Sequence, residues 1–128
     1  MFIALIHWMI KTDAESVDKF RDHWQTKNTV DDRSGLIGEF LCESLSSEDY
    51  PYINWSLDPD SSGDFRSFIT VGIWETETAF QSQVARHFND NKPVLAFEAY
   101  RRRRVVLDPR DWRMGQASLP AHDSPGVK

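Results

Sequence analysis

Residues 2–11, FIALIHWMIK, are apolar on both alternating faces, with Phe2, Ala4, Ile6, Trp8 and Ile10 on one and Ile3, Leu5, His7 and Met9 on the other. Successive side chains of a strand point to opposite sides of its sheet, so a strand of this kind must be covered twice. A layer of helices covers one face. The other needs a second layer, and sheet-against-sheet dimerisation is the simplest source. The chain has 128 residues, 40% of them apolar and 27% charged, which suits one globular domain with a sizeable core.

After this strand, TDAESVDKFRDHWQTKN places Thr12 and Glu15 at capping-box spacing and Val17, Phe20 and Trp24 at helical intervals, predicting an amphipathic helix over 14–27. The turn-like DDRSG leads into GLIGEFLCESL, a second strand with Leu36, Phe40 and Cys42 on one face and Ile37, Leu41 and Leu45 on the other, interrupted by Gly38 and Glu39. Residues 46–66, rich in Ser, Asp, Pro and Gly, read as a hairpin insertion in which YPYINWSL forms a short extra strand. In FITVGIWETETAF, Ile69, Val71 and Ile73 alternate with Phe68, Thr70, Gly72 and Trp74. Thr76 then caps a helix running through Ala79, Phe80, Val84, Ala85 and Phe88, which Pro93 ends. RRRRVVL supplies the last strand, and residues 115–128 have the composition of a flexible tail beyond a domain spanning 1–114. The order strand, helix, strand, strand, helix, strand predicts an α+β, ferredoxin-like βαββαβ sandwich.

The formal net charge of −5 argues against a nucleic-acid partner, whose phosphates select basic proteins. No apolar run approaches the roughly 18 residues of a membrane span. One cysteine, Cys42, cannot form an internal disulfide, and MFIALIHWMIK has neither a basic leader nor a small-residue cleavage site, so a cytoplasmic protein is expected. The histidines and the cysteine show no metal-ligand spacing, and Cys42 is expected to be buried and inert. Charge is polarised along the chain. Residues 101–113 hold six arginines against Asp108 and Asp111, about +4 in a chain whose remainder is about −9. Arg101 and Arg103 point one way from the last strand, Arg102 and Arg104 the other. They serve either as edge-strand charges paired with Asp and Glu, or as an anion-binding rim for a carboxylate or phenolate, in which Arg102 and Arg104 bind substrate.

The order of elements, the pair Phe20 and Trp24 on the first helix, and above all VGIWETETAF resemble the antibiotic biosynthesis monooxygenase-like family over roughly residues 2–107. The resemblance implies a homodimer whose two sheets close an α/β barrel, and a small-molecule cavity between helices and sheet. Its members include oxygenases that oxidise polycyclic aromatic substrates without metal or flavin and quinol-related monooxygenases, so the resemblance implies an oxidoreductase of an aromatic, phenolic or quinol substrate with no cofactor. A non-catalytic dimeric binding or regulatory module on the same fold is the alternative. The haem-degrading members place an Asn in the first strand, a Trp one turn after the Ala-Phe pair of the second helix, and a His further on. This chain has His7 and Gln83 at the first two positions and no His at a comparable distance, so the resemblance does not extend to haem degradation. Trp74 matches the family's strand-end tryptophan and reads as a packing wedge.

Cofactor-free oxygenation needs a base or hydrogen-bonding group to hold a deprotonated substrate in an apolar pocket. His7 is the first candidate, provided that its face of the strand is turned toward the helices, and the bland reading is a hydrogen-bonded core histidine. His87, one turn beyond Val84, is the second candidate. His23 and His122 read as solvated or structural. Trp24, Phe80 and Gln83 complete the expected substrate-binding set with Arg102 and Arg104.

Overall fold

The computed structural model describes residues 1–44, 64–88 and 91–119. Four strands, β1 (Phe2–Ile10), β2 (Leu36–Glu43), β3 (Arg66–Trp74) and β4 (Glu98–Leu107), form one antiparallel sheet in the order β2-β3-β1-β4. Helices α1 (Ala14–Thr26) and α2 (Glu77–Gln83) follow β1 and β3, which is the expected ferredoxin-like arrangement. No described helix is long and apolar enough to cross a membrane. The expected insertion at 46–66 falls largely outside the described residues, as does the tail beyond 119.

Which face of β1 meets the helices is settled by size. Trp8 and Ile10 are fully buried and Phe2, Ala4 and Ile6 nearly so, because this face packs against Val17 and Phe20 of α1 and Phe80 of α2. Ile3, Leu5 and His7 are only half-buried. Cross-strand partners share a face, so Ile69, Val71 and Ile73 of β3 and Val105 and Leu107 of β4 lie on that second, open side. Val105 and Leu107 are 49% and 42% exposed, so the apolar coat continues to the sheet edge.

Local chemistry moved several boundaries. The cap of α1 is Asp13, whose carboxylate accepts from the Ser16 N–H at 2.9 Å, and not Thr12; a carboxylate at a helix N-terminus also meets the positive end of the dipole. Thr76 caps α2 as its sequence indicates, accepting from the Ala79 N–H. The helix expected to run through Phe88 stops at Gln83, where Val84 leaves helical geometry, and a single 3₁₀ turn (Ala85–His87) follows. That break lets Val84, Ala85 and Phe88 all pack against the α2 side of the core. In β2 the pairing slips between Leu36 and Gly38, so Leu36 and Leu41, which strict alternation puts on opposite faces, both pack toward the helices. Close approach also matters at Gly35, where a Cβ would lie 2.6 Å from the Cβ of Ala79, so β2 enters directly beneath α2.

Candidate small-molecule site between helices and sheet

The helix-facing core is two clusters. Ile6, Trp8, Ile10, Phe68 and Phe97 pack with Val17 and Phe20 under α1, joined by Trp24 and Leu41. Phe2, Ala4, Val30 and Trp74 pack with Phe80 under α2, joined by Leu36, Val84 and Phe88. Their boundary crosses the sheet at Thr70 and Gly72. Register makes the next row Glu39, Gly72, Ala4 and Val106, and the row beside it Leu41, Thr70, Ile6 and Arg104. The centre of the boundary therefore carries a glycine and an alanine, the shortest side chains available, with Glu39 on one edge strand and Arg104 on the other. Three strand spacings separate those edges, about 14 Å at the backbone.

Polar groups converge on this band. Thr70 Oγ1 accepts from the indole Nε1 of both Trp8 (2.9 Å) and Trp24 (3.0 Å), so a single buried hydroxyl ties β1 and α1 to β3. Trp74 is 1% exposed, and its Nε1 lies 3.1 Å from where a Cβ on Gly72 would stand. That nitrogen has no acceptor among the described residues. Glu39, directly opposite Gly72, is partly buried among apolar neighbours; desolvation pushes its carboxyl up to about 7, against the opposing pull of Arg33.

The β4 arginines split as alternation requires. Arg102 lies over the Trp8 ring at 4.4 Å and donates to Glu98 at 2.7 Å; Glu98 is buried and also accepts from the Leu95 N–H. Arg104 lies over the Phe88 ring at 4.2 Å, on the helix side. Arg103 stands opposite His7 on the open face, and Arg101 donates to the Lys92 carbonyl. Burial, with Arg102 and Lys27 nearby, holds the His23 imidazole below its ordinary range, Glu98 and Asp22 opposing.

The expected site residues are thus partly assembled. Trp24 and Arg104 border the boundary, and Arg102 sits one turn of the pleat away on Trp8. Phe80 is a core residue in ring contact with Phe2, Trp74 and Phe88. Gln83 bonds the α1–β2 loop, its Oε1 accepting from the Asp32 N–H. The expectation that the His7 face turns toward the helices is corrected: the ring lies on the open face, 3.0 Å from Ser67 Oγ and edge-on to Phe65. His87 does not lean inward either; the early end of α2 leaves it exposed on the 3₁₀ turn, accepting from Arg86 Nε. Cys42, expected to be buried, is exposed. The sequence reading missed Glu39 and Thr70 as site residues. The signal for Glu39 was present, an acidic residue interrupting an otherwise apolar strand.

No family model matches the chain, and no curated protein does. Among solved structures, the chain is similar to a crystal structure of an MhuD point mutant with two manganese protoporphyrin IX molecules bound per active site. The similarity is at 17% identity, covering 88% of this chain and 99% of that chain, with a TM-score of 0.47.

Proposed function

We propose that the protein is a monooxygenase-like oxidoreductase of small aromatic phenols or quinols, taking its substrate at the boundary between the two helix-side clusters and using no resident cofactor. The observation that carries this reading is the convergence of Glu39, Trp74, Trp24 and Thr70 on the short side chains of Gly72 and Ala4. Ligand sites are mostly apolar with a few convergent polar groups, and this band is the part of the core with that composition. In the simplest balanced reaction a phenol and O2 give a quinone and water, the substrate supplying all the electrons; the protein's share is to hold the substrate, exclude water and manage its proton. A second reading, a non-catalytic binding module, is favoured by the placement of His7 away from this interior.

Thermal shift with phenols, quinols and haem tests both, because a ligand that binds the native state alone raises stability by mass action. At least one phenol or quinol is expected to raise Tm by several degrees and to support O2 uptake. Binding with no uptake selects the module, and no shift from any compound overturns both readings.

The same reading includes a homodimer. The open face presents Ile3, Leu5, Phe40, Val71 and Ile73, with exposed Val105 and Leu107 at its margin, a contiguous apolar surface of the kind that marks an interface. Sedimentation is expected to give twice the 14.9 kDa chain mass. A folded monomer at micromolar concentration would remove the dimer.

A further inference from the structure

Resting on that reading of the helix–sheet interior, we propose that Glu39 and Trp74 together form a receptor for one acidic hydroxyl, phenolic or enolic: the Glu39 carboxylate takes the O–H proton and the Trp74 indole N–H donates to the same oxygen. Three observations carry it. Glu39 and Trp74 flank Gly72, Glu39 as its cross-strand partner and Trp74 two residues along the same face. Diagonal cross-strand neighbours of this kind lie about 7–8 Å apart, within which a hydroxyl can reach both long side chains. Gly72 lets the indole lie close over the strand, its nitrogen 3.1 Å from where a Cβ would stand, on the row that Glu39 shares.

The second observation is a contrast within one protein. Trp8 and Trp24 donate their indole hydrogens to Thr70, as buried indoles ordinarily do. Trp74 is just as buried and has no acceptor among the described residues. The N–H of Trp74 is therefore available to donate to a ligand oxygen.

The third is the chemistry of the acid. Glu39 lies among apolar side chains, and the charged group that acts on it is Arg33. A carboxyl titrating near neutrality is matched to acidic phenols and enols, between which and itself a proton moves almost without cost; an aliphatic alcohol is far too weak an acid. Trp74 therefore has two jobs on one ring, a T-shaped contact with Phe80 at 6.1 Å and an N–H for the ligand.

The test uses 4-nitrophenol, whose absorbance distinguishes phenol from phenolate, beside 4-nitroanisole, the methyl ether that lacks the O–H. The parent protein is expected to bind the phenol at least tenfold more tightly than the ether, and to lose that preference in both Glu39→Gln and Trp74→Phe; the phenylalanine keeps an aromatic wedge but has no N–H. Equal binding of the two probes by the parent overturns the receptor and leaves the interior site standing. Failure of the parent to bind either probe removes the interior site and the receptor with it. Retention of the full preference in either folded variant overturns that residue's assignment, and hence the paired receptor.

Discussion

Arg102→Ala is expected to destabilise the protein by about 3–5 kcal/mol, the range for removing one partner of a buried ion pair. Glu98 has a fully buried side chain and Arg102 one that is 23% exposed, at 2.7 Å. Glu98 Oε1 accepts from both Arg102 and the Leu95 N–H, whereas its Oε2 has no partner among the described residues. Alanine would leave this carboxylate without its cation and uncover the Trp8 ring that the guanidinium now covers. The pair itself is worth little relative to an apolar replacement, because desolvation offsets its Coulombic attraction. The double variant Glu98→Gln with Arg102→Met is therefore expected to recover most of the loss. Urea denaturation measures both; an Arg102→Ala protein within 1 kcal/mol of the parent would mean that the carboxylate finds water instead, and would refute the buried-pair account.

The same arginine shows where sequence reading stops. Alternation correctly divides Arg101 and Arg103 from Arg102 and Arg104, because a period of two is a property of the strand alone. It leaves open whether the side chains meet ligand or protein, and the partner of Arg102 sits at Glu98, ahead of the RRRRVVL run and at the start of β4. His7 failed for a related reason. Both faces of β1 are apolar, so hydropathy cannot say which one the helices cover; the bulk of Trp8 and its hydrogen bond to Thr70 decide it, and those contacts are 62 residues apart in the chain. Trp74 was legible as a wedge because its cause is local: a strand ends, Thr76 caps a helix, and the aromatic at the junction packs against Phe80. Glu39 was visible only as an interruption. Alternation puts it on the face of Leu41, but that this face meets the helices and that Gly72 stands opposite are set by the β2–β3 register, which hydropathy does not contain.

That register has a measurable consequence, because it puts Glu39 on the helix side of the sheet with Leu41. Its carboxyl rises from 4.5 in the unfolded chain to about 7 in the fold, with desolvation as the cause and Arg33 opposing. Between those two values the native state binds more protons than the unfolded state, so stability is complete below about pH 4.5 and falls as pH rises to about 7, after which it levels. At 1.36 kcal/mol per unit the loss is about 3 kcal/mol at most, and less to the extent that the partly exposed carboxylate keeps some water. Glu39→Gln replaces the acid with a neutral group of the same shape. The variant is expected to match the parent near pH 4 and to exceed it by about 2–3 kcal/mol at pH 8. Other groups titrate in this window, His23 among them, whose lowered pKa makes stability fall as pH drops and so opposes the Glu39 slope. Their contributions are common to both proteins, so the difference between the two urea-unfolding curves isolates Glu39. Parallel dependence of the two proteins on pH would show that the carboxyl is hydrated and ordinary, and the interior would then lack the proton acceptor that an acidic hydroxyl requires.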